Sequence, residues 1–349
     1  MAIGSVTPSK SPPGVRPAVL LTLLVALLVL VCLLSLALGA VAIPLGQVVG
    51  ALTGDPVPSN VENIVWSVRG PRTAIGLTTG VAIGLGGTLM QALTRNPLAD
   101  PGLLGVSAGA SFGIVVSIVA FGIGTLYGFI WFALLGAAAA SVVVFVLGRM
   151  GRSGLTPVKL ALAGIAVTAF LGSVTSAMVL MDVEALDRYR FWSAGSLAGL
   201  NGDVAVQILP FVVIGAVLAL ASAPALNSLA LGDDVATSLG RNLALVRTQG
   251  VVAIMLLTGA AVAAIGPVVF IGLVVPHVAR ALAQAAGLGP DHRWLLPLSA
   301  LIAPALLLVA DIAGRLIAKP TEVQAGVLIA FLGGPFFIML VRRRKLAEV

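Results

Sequence analysis

The stretch WSVRGPRTAIGLTTGVAIGLGGTLMQALTRNPLAD, residues 66–100, has the pattern of a membrane-crossing helix with charged and proline-rich ends. Arg69 and Arg72 flank Gly70-Pro71, an uncharged run follows from Thr73 to Thr94, and Arg95-Asn96-Pro97 closes it. A membrane-crossing helix needs about 20 predominantly apolar residues, and this run supplies them. Gly76, Gly80 and Gly84 recur every four residues, which places them on one helix face where a second helix can approach closely. Pro97 and Pro101 then forbid a continuous helix and push their neighbours towards extended backbone.

The rest of the chain has the same character. Of its 349 residues, 59% are hydrophobic and 9% are charged, where a soluble domain carries roughly 25% charged residues. The mean hydropathy is +1.13. An all-α, polytopic membrane protein is expected. The net charge of +7 is then not a nucleic-acid signal, because Lys and Arg collect in the cytoplasmic loops of membrane chains. The single cysteine, Cys32, rules out an internal disulfide framework and offers no thiolate metal site. The charge-free run from Pro17 to Gly54 is much longer than the roughly 7–15-residue core of a secretory signal. It is read as a retained first span behind a short polar tail, residues 1–16.

Apolar intervals between charges and Gly/Pro clusters give ten expected spans: 17–43, 73–94, 103–123, 126–148, 156–181, 204–223, 244–265, 268–286, 295–317 and 324–341. Only Gly266-Pro267 separates the seventh from the eighth. With ten spans and both ends in the cytoplasm, fourteen basic residues fall inside, among them Arg95, Arg241, Arg247 and the cluster Arg342–Lys345. Six fall outside: Arg69, Arg72, Arg188, Arg190, Arg315 and Lys319. The bias has the expected sign. Merging the seventh and eighth spans would put the RRRK cluster outside. One membrane domain, 17–341, is therefore expected between a 1–16 tail and a 342–349 tail, in contact with lipid.

Catalytic chemistry is hard to find. There is no GxxxxGK[ST] phosphate loop; GLGGT at 84–88 lacks the lysine and lies inside a span. His277 and His292 do not have metal-ligand spacing. The spans are nearly free of the acidic groups that ion-coupled transporters place at mid-membrane. Asp311 is the main exception. Arg315 lies four residues on, so the two share a helix face and can pair locally. Small-residue faces at AGASFG (108–113) and LGAAAAS (135–141) are read as close helix packing.

Two polar loops have strong local patterning. One is QALTRNPLADPGLLGVSAGA, 91–110. The other is LNSLALGDDVATSLGRNLALVR, 226–247. In the second, Asp233 and Asp234 suit a helix N-terminus and Gly240 suits the stop one short helix later. By itself this is either a solvated loop helix or one that docks a partner.

These blocks together resemble the FecCD family of ABC-transporter permeases. The resemblance runs from about Arg69 onwards. It rests on RGPR at 69–72, MQALTRNPLADPGLLGVSAGA at 90–110, LGDDVATSLGRN at 231–242, GPVVFIGLVVPHVAR at 266–280 with DHRWLLPLSAL at 291–301, ADIAGR at 310–315, and EVQAGVLIAFLGGPFFIMLVRR at 322–343. It implies the ten-span type II ABC importer permease architecture, paired with a second copy or a close paralogue. It also implies separate ATPase subunits that carry ATP and Mg, so this chain is no enzyme and needs no cofactor of its own. An extracytoplasmic substrate-binding protein docks on the other side, in the bacterial cytoplasmic membrane.

Roles implied by the resemblance transfer by position. Leu231, Gly232, Asp233, Asp234, Ala236, Leu239, Gly240 and Arg241 occupy the ATPase-contacting loop. Asn96, Pro97 and Leu98 occupy a turn near the cytoplasmic mouth, with a gate-lining role. Arg69, Arg72 and Arg315 match arginines that face acidic groups on the binding protein. Without the family, Arg69 and Arg72 read as snorkelling anchors at a helix start. The sequence departs from the pattern at Asn201, where many members carry Trp, and in the charged loop MDVEALDRYR, 181–190. Iron(III)–siderophore is the implied cargo, with haem or cobalamin as the alternative. An ion-coupled secondary transporter is the rival class.

Overall fold

The computed structural model describes residues 17–123, 125–150, 157–181, 186, 189, 190, 192–319 and 321–345. The expected tail 1–16, the end of the tail at 346–349, Arg152, Arg188 and most of the charged loop lie outside the described residues. The described chain is helical throughout. In order come α1 (Pro17–Ala37), α2 (Leu45–Thr53), α3 (Ser59–Asn63), a π-helical turn (Ile64–Arg69) and α4 (Gly70–Thr94). A 3₁₀ turn (Pro101–Leu104) leads to α5 (Val106–Phe121), α6 (Leu126–Arg149) and α7 (Pro157–Leu180). Then follow α8 (Asp203–Ala230), α9 (Asp233–Ser238), α10 (Leu243–Ile265), α11 (Ile271–Ala285), α12 (His292–Ile317) and α13 (Ala325–Lys345).

Each of the ten expected intervals holds one helix. By length and apolarity, seven helical stretches among the described residues suffice to cross a membrane. Three more are shorter apolar helices: Val106–Phe121, Ile271–Ala285 and the apolar part of α13, Ala325–Met339.

Several expected boundaries change, and the sixth span runs on from 223 to Ala230. The first span ends at Ala37, and Pro44 opens the separate α2. The second begins well before Thr73, because α3, the π turn and α4 form one continuous helical rod, Ser59–Thr94. Pro71 has no N–H and its ring crowds the carbonyl four residues back. It is accommodated in the first turn of α4, directly after the π turn, whose wider loop brings the Gly70 N–H to Val65 O. Arg69 and Arg72 therefore lie within a helix and not in a loop.

α4 is the centre of the bundle, in contact with α8, α10, α11 and α12. Its glycine face packs on α12, as the four-residue spacing demands. A Cβ built on Gly80 would lie 2.3 Å from Pro304 Cα, and one on Gly84 2.5 Å from Ser299 O. Thr88 Oγ1, one further step along, hydrogen-bonds Ser299 Oγ at 2.8 Å. The two other small-residue faces meet each other: Gly109 of α5 and Gly136 of α6 pack backbone to backbone. In lipid there is little hydrophobic drive between helices, so close van der Waals packing of this kind holds them together.

The seventh and eighth intervals are separate helices. α10 stops at Ile265, and Gly266 (φ +80) carries the chain away from the helix. A side chain there would meet Trp192 O at 1.9 Å, so only glycine fits. The WSAGSL segment, 192–197, braces this break: Ser196 N donates to Ile265 O at 3.0 Å, and Gly326 N donates to Gly195 O at 2.9 Å.

Candidate functional site

The polar groups collect at the two ends of α4, which by its 25 residues is roughly 37 Å long. At its first end the three family-implied arginines converge, and all turn inward. Arg69, Arg72 and Arg315 are 6%, 8% and 3% exposed. Arg69 donates to the carbonyl oxygens of Leu36 and Ala37 at 2.7 and 2.8 Å, and to that of Val41. Arg315 donates to Ser35 O and Leu38 O at 2.9 Å each, and to Ser35 Oγ at 2.9 Å. The last carbonyls of a helix have no partner inside it. Two arginines from distant segments supply partners at the C-terminal end of α1.

Arg72 binds two acids. It contacts Asp311 through Nε and Nη2, the latter at 2.7 Å, and Glu322 through Nη1 at 2.7 Å. Asp311 is 1% exposed at its side chain and also pairs with Arg315 at 3.0 Å, the four-residue pairing expected from spacing. The Glu322 side chain is 37% exposed. The hydrogen bonds of all three guanidiniums are made inside the chain, and Glu322 is the cluster's exposed member. Buried charges persist only when paired and hydrogen-bonded, which is what draws the side chains in. Ser35 and Glu322 carried no signal in the sequence, because their partners lie far along the chain.

At the opposite end of α4 lies the Asn96-Pro97-Leu98 turn. Arg95 closes α4 with a left-handed backbone (φ 49), and Asn96 N returns to Gln91 O at 3.2 Å. The side chain of Asn96 accepts from Leu98 N at 2.9 Å, and that of Asp100 accepts from Gly102 N at 2.8 Å to start the 3₁₀ turn. Pro97 keeps the chain from resuming the helix after Arg95, and Pro101 opens the 3₁₀ turn. Asn96, Pro97 and Leu98 are all half-buried. Burial pushes the Asp100 carboxyl up to about 6, against the opposing hydrogen bond from Gly102.

Beside this turn stands the expected short helix, α9. Asp233 and Asp234 occupy its first turn, and Gly240 (φ +75) provides the left-handed stop that a Cβ would strain. Ala236 is fully buried against the bundle. Leu231, Val235 and Leu239 are 65%, 44% and 59% exposed. Asp233 pairs with Arg247 at 2.6 Å and with Arg95 at 3.3 Å. Arg241 is exposed, and its backbone N–H returns to Ala236 O.

Two further ties escaped the sequence. Asn227, in the last turn of α8, donates to Asp291 Oδ1 at 2.5 Å and accepts from His292 N at 2.9 Å. Gln91 accepts from Arg280 at 2.7 Å. Both link helices distant in the chain.

Residues 27–343 match the profile of the FecCD transport family. The ferric enterobactin transport system permease protein FepD of Escherichia coli (strain K12) is 46% identical over 322 residues, 92% of this chain and 94% of that protein. The hemin transport system permease protein HmuU of Yersinia pestis is 36% identical over 336 residues, 95% of this chain and 97% of that protein. Among solved structures, a metal-chelate type ABC transporter in an inward-facing conformation superposes with a TM-score of 0.79 at 26% identity, covering 93% of this chain and 99% of that one.

Proposed function

The chain belongs to the FecCD transport family and is a multi-pass permease subunit of an ABC importer in the inner membrane, and from that premise we propose that its cargo is an iron(III)–siderophore delivered by an extracytoplasmic binding protein. ATP hydrolysis belongs to a separate subunit, which we take to bind ATP and Mg²⁺. The 46% identity to a ferric enterobactin permease protein carries the choice of cargo. The 36% identity to a hemin permease protein makes haem the second reading.

Exposed Val235 on α9, with exposed Leu231 and Leu239 directly flanking a helix otherwise seated through Ala236, supports ATPase docking at α9. A short helix with one anchored and one apolar exposed face suits a groove in a partner. Residues 231–241 are accordingly assigned to coupling, and Asn96, Pro97 and Leu98 to the gate. With α9 facing the cytoplasm, both termini lie inside as well. The opposite end of the bundle, around Arg72 and Glu322, receives the binding protein, and Arg69 and Arg315 shape that end from within. A second copy or a paralogue completes the transport path.

The test is uptake into proteoliposomes holding the permease, its ATPase and the binding protein. ATP-dependent entry of ⁵⁵Fe-labelled siderophore, with haem failing to compete, is the expected result. Entry driven by an ion gradient without ATP or binding protein would overturn the reading.

A further inference from the structure

We infer that Arg95 and Arg247 clamp Asp233, and that this clamp is the positioning device by which movement of α9 is delivered to the Asn96-Pro97-Leu98 turn. The inference rests on the proposed ATPase docking at α9 and extends it to residues outside the docking loop. Three segments meet at one carboxylate. Asp233 is the first residue of α9, Arg247 lies in the first turns of α10, and Arg95 is the residue that ends α4 and directly precedes the turn. Arg247 Nη2 hydrogen-bonds Asp233 Oδ2 at 2.6 Å. Arg95 Nη2 approaches the other oxygen, Oδ1, at 3.3 Å as an ion pair, and that oxygen is itself shut off from solvent.

The backbone at Arg95 points the same way. It is left-handed, φ 49, a conformation that glycine or asparagine takes at a helix end with little strain. An arginine there accepts a backbone cost and gains a long cation in return, aimed at α9. Arg95 and Asp233 side chains are 46% and 37% exposed, so the pair adds little to stability. Its effect is geometric. α9 has one buried side chain, Ala236, among residues that are otherwise exposed or half-buried. Its position relative to α4 is therefore set by few contacts, and the ion pair of Asp233 with Arg95 reaches the α4 end. If α9 is displaced by a partner, the ion pair draws the α4 terminus and its turn along with α10.

Two arms test this. On the permease alone, Arg95→Gln removes the charge at similar length, and Arg95→Lys keeps it. Hydrogen exchange of the 233–240 amides should rise about three- to fivefold in the Gln variant, the scale of an exposed ion pair, and remain near the parent rate in the Lys variant. On the assembled transporter, the Gln variant should bind ATPase at full yield and hydrolyse ATP. Its uptake per ATP hydrolysed should fall about three- to fivefold, and Lys should restore most of it. Unchanged exchange overturns the clamp. Loosened exchange with unchanged uptake per ATP overturns its role in transmission. Full ATPase recovery after deletion of 233–238 overturns the docking reading, and this inference with it, and does so in a variant that leaves Arg95 intact.

Discussion

Arg315 of α12 donates to the backbone oxygen of Ser35, 280 residues earlier in the chain, at 2.9 Å. This bond, with its companions to Leu38 O and Ser35 Oγ, joins the end of the first helix to the middle of the bundle. The Ser35 hydroxyl also meets Thr73 Oγ1 at 2.9 Å, so α1, α4 and α12 share one polar knot.

Removing that knot should release α1. Arg315→Ala leaves carbonyls at the end of α1 without donors and takes one cation from Asp311. Loss of one partner from a buried charged pair costs about 3–5 kcal/mol. Cys32, the single cysteine, sits half-buried in α1 beside Leu308 and Ile312 of α12. Maleimide labelling of Cys32 in detergent should accelerate at least tenfold in the variant. Labelling at the parent rate would show that α1 is held by other contacts.

Glu322 is the exposed member of the arginine cluster and competes for the Nη1 of Arg72. Glu322→Gln should free positive potential at the face proposed to receive the binding protein. Affinity for an acidic binding protein should rise about two- to fivefold, in line with the roughly 0–1 kcal/mol of an exposed pair, with a steeper salt dependence. Equal affinity and equal salt slope in both proteins would remove Arg72 from the docking face.

The glycine face of α4 makes a graded prediction. A Cβ at Gly80 meets the backbone of Pro304 at 2.3 Å, whereas one at Gly76 meets the tip of the Leu308 side chain at 2.6 Å. A side-chain tip can rotate and a backbone cannot. Gly80→Ala should therefore cost about 1–3 kcal/mol as an overpacked contact, and Gly76→Ala less. Thermal unfolding in detergent should rank the two variants in that order; the reverse order would mean that α4 and α12 are held apart by something other than these atoms.

Asp100 predicts a pH dependence. Its folded carboxyl is raised to about 6 by burial, above the ordinary value of about 3.9. The folded state therefore binds the proton before the unfolded chain does, and stability rises as pH falls from about 7 through 6 towards 4. Asp100→Asn keeps a capping side chain for Gly102 N and abolishes the titration. The Asn variant should have a flatter melting-temperature profile between pH 7 and 5 than the parent. Identical profiles would assign the pH response elsewhere.

Much of this protein is set by local chemistry and is legible in the sequence. Apolar runs of about 20 residues must become helices in lipid, because no water is present to satisfy a bare backbone. Pro97, Pro101 and Gly266 had to interrupt them, and the spacing of Gly76, Gly80 and Gly84 had to make a contact face. The limits of α9 followed from Asp233 and Gly240 in the same way. What the tertiary structure decided is where the charged side chains turn. Whether Arg69, Arg72 and Arg315 face out or in depends on Ser35, Leu36, Asp311 and Glu322. Asp311 is four residues from Arg315, and that pair is legible in the spacing. The other contacts join residues tens to hundreds of positions apart, and no periodicity links them. The same holds for Arg95, whose meeting with Asp233 joins the end of one span to a loop more than a hundred residues later. Backbone satisfaction acts locally and leaves its mark on the sequence, as does an ion pair within one helix; an ion pair between distant segments is a property of the packed bundle alone.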